Sequence, residues 1–177
     1  MIFIALGANL PGPAGTPQET LSLALSELDR EGVSILSLSR WYRSTPVPKS
    51  DQPDFINGVA QVKTELAPDG LLATLHRVER RLGRVRSVPN AARCVDLDLI
   101  DYGGLVMEGP PILPHPRAAE RLFVLEPLRD LAPNWRHPVM GLSVTDLVAG
   151  LAPDPGLIAL EGEEGKGGDV VPGQGDL

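Results

Sequence analysis

Residues 95–102 read Val95-Asp96-Leu97-Asp98-Leu99-Ile100-Asp101-Tyr102. Carboxylate and leucine alternate from 96 to 99. Successive side chains of a strand point to opposite faces, so Leu97 and Leu99 face a core while Asp96 and Asp98 share the other face. Gly103-Gly104 follows and predicts a hairpin turn into Leu105–Met107.

Upstream, the pattern supplies the partners for this strand. Met1–Leu6 is an apolar run ended by Gly7 and predicts a buried strand. Thr16, Pro17 and Glu19 form an N-cap, N1 and N3 signature, and Leu21, Ala24, Leu25 and Leu28 mark one helical face up to Glu31. Gly32 stops that helix. Residues 33–42 alternate imperfectly and predict a strand, and residues 56–66 predict another. Between them, 44–53 holds three prolines and reads as a long loop. Pro68-Asp69 opens a helix through Leu82, with Leu71, Leu72, Leu75, Val78 and Leu82 on its core side and Gly83 at its end. The order is β-α-β-β-α-β. It predicts an α+β fold, a ferredoxin-like α/β/α sandwich with a mostly antiparallel central sheet flanked by helices. Two further helices are expected at 122–131 and 143–151.

A chain of 177 residues is the size of one domain, and 42% hydrophobic with 22% charged residues suits a soluble core. We assign 1–160 to that domain. Residues 161–177 are Gly-rich, with five acids and one lysine, and are expected to form a disordered acidic tail. The single cysteine, Cys94, excludes an intrachain disulfide and a multi-cysteine metal site. It reads as a small buried hydrophobe. No signal peptide and no spanning apolar run is read, so the expected compartment is the cytoplasm. A net charge of −7 argues against a nucleic-acid binder. With no exposed apolar stripe in the pattern, a monomer without membrane or nucleic-acid partners is expected.

The local charge is different. Residues 76–93 hold six arginines and one acid, Glu79. Guanidinium groups match phosphate oxygens bidentately and stabilise charge developing at phosphorus. Arg77, Arg80 and Arg81 fit a solvated helix face. Arg84, Arg86 and Arg93 fall in the loop before the Asp pair and fit phosphate contacts. Asp96 and Asp98 repel each other unless a cation joins them, and hard oxygen ligands without Cys or His suit Mg²⁺. A solvated edge strand carrying two acids is the alternative. Phe55 and Asn57 share strand parity, so an aromatic face and an amide can meet one flat heterocycle. Ordinary core packing of Phe55 is equally open on these residues alone. His115 and Arg121 are placed to reach a nucleotide, and Phe123 to form a second aromatic slab. His115 alone also fits a structural histidine.

These stretches, Gly7-Ala-Asn-Leu10, Tyr42-Arg43, Asp51-Gln-Pro-Asp-Phe-Ile-Asn57, Gly83-Arg-Val-Arg86, Arg93-Cys-Val-Asp96-Leu-Asp98, Pro114-His115 and Arg121-Leu-Phe123, come in one order over residues 1–150. Together they resemble the 6-hydroxymethyl-7,8-dihydropterin pyrophosphokinase family of folate biosynthesis. The resemblance implies Mg²⁺-dependent transfer of pyrophosphate from ATP to the pterin hydroxymethyl oxygen, with release of AMP. It implies two Mg²⁺ ions held by Asp96 and Asp98, and catalytic roles for Arg84 and Arg93. It implies pterin binding by Ser44, Val47, Phe55, Asn57 and Phe123, and ATP binding by His76, Glu79, Arg86, His115 and Arg121. Two departures stand out. The family's Trp-Gly-Pro-Arg before the Asp pair reads Asn90-Ala-Ala-Arg93 here, and its Gly-Ser-Asn-Leu reads Gly7-Ala-Asn-Leu10. A looser closure over the substrates is the expected consequence of the first, and loss of a hydroxyl contact at Ala8 that of the second. A non-catalytic pterin or nucleotide binder, and a Mg²⁺-dependent phosphotransferase with another acceptor, are the competing functions.

Overall fold

The computed structural model describes residues 1–46, 48–84 and 92–161. Val47, residues 85–91 and residues 162–177 lie outside the described residues, and with them the expected tail. The strands are β1 (Ile2–Ala8), β2 (Ser34–Leu38), β3 (Tyr42–Ser44), β4 (Phe55–Lys63), β5 (Asp96–Tyr102), β6 (Met107–Glu108), β7 (Ile112–Leu113) and β8 (Ile158–Ala159). The helices are α1 (Pro17–Arg30), α2 (Pro68–Arg81), α3 (Leu122–Leu131) and α4 (Val144–Gly150).

The main sheet runs β5-β1-β4-β3-β8, with β2 also paired to β4, and its recorded pairings are antiparallel. Counting β2 and β3 as one bent strand, this is the expected split βαβ arrangement. The predicted single strand over 33–42 is broken at 39–41. There Ser39 Oγ accepts from Val59 N at 3.0 Å in place of a regular ladder bond. The Trp41 ring occupies the space above Gly58, where a Cβ would come within 2.8 Å of it. A side chain at 58 would therefore drive Trp41 out of the core.

Each face of the sheet has its own core. Ile4, Leu6, Leu97 and Leu99 pack with Leu21, Ala24 and Leu28 of α1 and with Leu71, Leu75 and Val78 of α2. Phe3, Val59 and Ile100 pack with Val124, Leu125 and Leu128 of α3, with Val144 and Leu147 of α4, and with Trp135. Burying such side chains is worth about 1.5–3 kcal/mol each, enough to fix the register of β5. That register decides the site: with Leu97 and Leu99 in the first core, Asp96 and Asp98 must lie on the α3 face. The α1 capping box forms as expected, with Glu19 N donating to Thr16 Oγ1 and Thr16 N donating to Glu19 Oε2. Gly32 and Gly83 stop α1 and α2 in left-handed conformations. The helices at 122–131 and after Ser143 also form, the latter capped by Ser143.

The Gly103-Gly104 turn forms, but the hairpin partner does not. Leu105 and Val106 are exposed, and β6 pairs with β7 in a separate two-stranded sheet. The edge of β5 is met instead by the segment after β7, where His115 N donates to Ile100 O at 2.8 Å. This contact carries His115 to the Asp pair.

Candidate active site

A cleft of about 970 Å³ opens where β1, β4 and β5 end side by side. Asp96, Asp98, Phe55 and Asn57 contribute to its floor, Arg84 and Arg93 one side, and His115, Arg121 and Phe123 another. Ser44 and Thr45 line it from the end of β3.

Asp96 stands between two arginines. Arg84 Nη1 is 2.5 Å from its Oδ1 and Arg93 Nη1 is 3.1 Å from its Oδ2. Behind Arg84 lies Glu79, only 1% exposed, whose carboxylate contacts the same guanidinium. Glu79 is therefore a support for Arg84 and does not line the cleft. A buried carboxylate paired on one side of a guanidinium fixes its fork and would cost several kcal/mol if left unpaired. Asp98 has neither arginine against it. Burial, then the charge of Asp96, push its carboxyl up to about 6.

His115 lies over Asp98. Its Nδ1 accepts from Arg117 N at 3.2 Å, so the neutral ring carries its proton on Nε2, 4.0 Å from Asp98 Oδ2. Burial and then the charge of Arg121 lower the His115 pKa, which favours that neutral form. Arg121 caps the start of α3 and its guanidinium carbon sits 5.5 Å from the Phe123 ring centroid.

At the other end, Asn57 is buried and donates through Nδ2 to Ser44 Oγ at 2.6 Å. Phe55 begins the same strand two residues earlier, opposite Ser44. The shared parity of Phe55 and Asn57 thus holds, and both line the cleft.

Of the expected site residues, the structure brings together Ser44, Phe55, Asn57, Arg84, Arg93, Asp96, Asp98, His115, Arg121 and Phe123. His76 and Glu79 sit on α2 outside the cleft lining, Glu79 on the buried side of the helix against Arg84. Val47 and Arg86 lie outside the described residues. Arg77 and Arg81 pair with Glu27 of α1 and with Glu31 at its C-terminal cap at 2.7–2.9 Å, the solvated role expected of them. Cys94 is half-buried with Sγ 3.2 Å from Leu82 O.

Asn9 was given no role by the sequence and holds a central one. It is 1% exposed. Its Nδ2 donates to Gln52 Oε1 and Pro53 O, both at 3.1 Å, and its Oδ1 accepts from Arg93 N at 2.9 Å. Asn9 N and Leu10 N both donate to Arg93 O. One side chain therefore ties the loop before Phe55 to the backbone of Arg93. The signal was a short amide directly after an apolar strand, inside the Gly7–Leu10 motif.

The donor set suits a hard divalent cation. Among the described residues no group of three or more His, Cys, Asp or Glu could hold a metal. Two carboxylates on one strand face supply only part of a six-oxygen shell, the rest of which phosphate and water would complete. Burial first, and then the charge of Asp96, raise the Asp98 pKa, and a cation between the two carboxylates would offset both.

A family model for 7,8-dihydro-6-hydroxymethylpterin-pyrophosphokinase matches residues 3–133. The chain belongs to this family. Among its relatives, the 2-amino-4-hydroxy-6-hydroxymethyldihydropteridine pyrophosphokinase of Pseudomonas aeruginosa is 39% identical over 139 residues, covering 77% of this chain and 83% of that protein. The folic acid synthesis protein fol1 of Pneumocystis carinii is 40% identical over 144 residues, which is 81% of this chain but 19% of that longer protein. The chain therefore spans about a fifth of the length of the fungal relative. In three dimensions it resembles the wild-type HPPK-DHPS of Plasmodium falciparum, with a TM-score of 0.62 at 13% identity over 84% of this chain and 44% of the other. At that identity the likeness concerns the pyrophosphokinase fold alone. The family match stops at Pro133, just past the end of α3, so α4 and β8 lie beyond it. No helix among the described residues is long and apolar enough to cross a membrane.

Proposed function

We propose that this chain transfers a pyrophosphoryl group from ATP to the hydroxymethyl oxygen of 6-hydroxymethyl-7,8-dihydropterin, as a step of folate biosynthesis. The single observation that carries this is the placement of Arg84 and Arg93 at Asp96, beside Asp98, in one cleft with Phe55 and Asn57 and with His115 and Arg121.

The chemistry follows from that layout. The heterocycle lies between Phe55 and Phe123, and Asn57 presents its amide to the heterocycle edge with Ser44 fixing its orientation. ATP lies toward His115 and Arg121. The substrate oxygen attacks the β-phosphorus, the bond from that phosphorus to the oxygen shared with the α-phosphorus breaks, and AMP leaves with that oxygen. The hydroxyl proton is lost to water. Arg84 and Arg93 neutralise the charge that develops on the transferring group. Glu79 and Asn9 keep those two arginines in place from behind, one by its charge and one through the backbone. His115, neutral, offers the nucleotide an N–H from Nε2 without adding charge. Asp96 and Asp98 would hold two Mg²⁺ ions, which would supply charge neutralisation of the phosphates and alignment for in-line attack. The reading further includes a monomer working in the cytoplasm.

ATP labelled at the β-phosphorus tests this. Pyrophosphoryl transfer carries the β label into the pterin product and leaves AMP unlabelled. A simple kinase would leave the label in ADP, and that result would contradict the proposal.

A further inference from the structure

The cleft has a fourth side that the family match does not reach. Leu151, Ala152 and Asp154 line it next to Ser44, Thr45 and Pro46. They belong to a strap, residues 151–157, that joins α4 to β8 and lies beyond the matched span of 3–133.

Both ends of the strap are fixed. Leu151 N donates to Val148 O at the end of α4. β8 pairs with β3 in the register Tyr42↔Ala159 and Arg43↔Ile158, and Leu160 N donates to Trp41 O at 2.8 Å. Between these ends Asp154-Pro155-Gly156-Leu157 makes a tight turn. Leu157 N donates to Asp154 O at 3.1 Å, and Gly156 N donates to Asp154 Oδ1 at 2.9 Å. Pro153 and Pro155 restrict the backbone further.

The turn presses on Thr45. A Cβ at Gly156 would stand 3.0 Å from Thr45 Oγ1 and 3.2 Å from Thr45 Cγ2. Gly156 is not among the glycines with positive φ, so its backbone would accept alanine, and the cost would come from Thr45 and, at 3.2 Å from the added Cβ, Asp154 Oδ1. Thr45 directly follows Ser44, whose hydroxyl orients Asn57.

We propose that the 151–157 strap is a positioning element for the heterocycle end of the cleft: Gly156 sets the place of Thr45, and through it the Ser44–Asn57 pair that meets the substrate edge. This rests on the proposed function for the identity of the ligand. The strap acts on the heterocycle and not on ATP, whose end of the cleft lies across the sheet at His115 and Arg121. It is thus a second determinant of substrate affinity, supplied by chain outside the matched span.

The test compares wild type, Gly156→Ala, Thr45→Ala and the double variant in the full chain. Binding of 6-hydroxymethyl-7,8-dihydropterin is followed by its own fluorescence, and KM for the pterin and for ATP by AMP release. Gly156→Ala is expected to weaken pterin binding and raise its KM about fivefold, with KM for ATP within about twofold. In the Thr45→Ala background the same change should alter pterin binding less than about twofold, because two of the three crowded atoms, both of Thr45, are gone and only Asp154 Oδ1 remains close. Asp154→Ala, which frees the turn without adding bulk, should weaken pterin binding about threefold. Unchanged pterin affinity in Gly156→Ala and Asp154→Ala would overturn the proposal. So would an equal rise in both KM values, or a Gly156→Ala effect that persists without Thr45. A wild type that binds the pterin but releases no AMP would refute the function while leaving the strap to be judged by the fluorescence titration.

Discussion

Arg77, Arg81 and Arg84 come from eight consecutive residues, and by sequence they are one basic cluster. In the structure they belong to two regions. Arg77 and Arg81 project from α2 toward α1 and pair with Glu27 and Glu31 in solvent. Arg84 turns past the end of α2 and enters a ladder, Glu79–Arg84–Asp96–Arg93, at the edge of the cleft. Exposed pairs of the first kind contribute little, because water and salt screen them. In the second region solvent is largely displaced, so each charge acts strongly on its neighbour and on any phosphate brought between them. The number of charges in a stretch says nothing about which region a residue joins. The helix end at Gly83 does, since it separates the residues that follow the helical face from those that leave it.

The contrast can be broken from the cleft side first. Asp98→Asn should lower kcat/KM by about 10³ or more in steady-state assays, because the carboxylate pair then loses half its charge. Arg93→Ala should cost about 10² to 10³ in kcat, with the pterin affinity little changed in a fluorescence titration. Asn9→Ala leaves the Arg93 N–H without its buried acceptor. We expect a loss of about 1–3 kcal/mol in denaturant unfolding and roughly a tenfold fall in kcat as Arg93 loosens.

The same Asp98→Asn variant should behave oppositely in stability. Its carboxyl is raised from 3.8 to about 6 in the folded protein, so between those values the folded state holds a proton that the unfolded state has released. Stability from this group is therefore present at low pH and is lost as pH rises through 6. Thermal melts without divalent cation should show Asp98→Asn more stable than wild type at pH 8, with the gain shrinking toward pH 4. A constant difference across that range would contradict the shifted carboxyl. At the small end, Arg81→Ala should move the thermal midpoint by about 2 °C or less and leave kcat unchanged.

The sheet, both early helices and the Asp pair were legible because each rests on a local rule. Strand parity placed Asp96 and Asp98 together, and capping chemistry placed α1. The split between β2 and β3 was not legible, since it comes from Trp41 packing over a glycine on a different strand. The missing hairpin after Gly103-Gly104 likewise reflects competition for an edge by a segment ten residues later. In the site, Glu79 was expected to meet ATP, but helical phase buries it behind Arg84. The role of Asn9 depends on bonds to residues 43, 44 and 84 positions away, which no pattern in one stretch reveals.

The most direct measurement is AMP release from ATP and 6-hydroxymethyl-7,8-dihydropterin with Mg²⁺, run side by side for wild type, Arg81→Ala and Asp98→Asn. The expected result is AMP, not ADP, at equal rates for wild type and Arg81→Ala, and none detectable above background for Asp98→Asn. ADP as the nucleotide product, or an Asp98→Asn rate near that of wild type, would contradict the account.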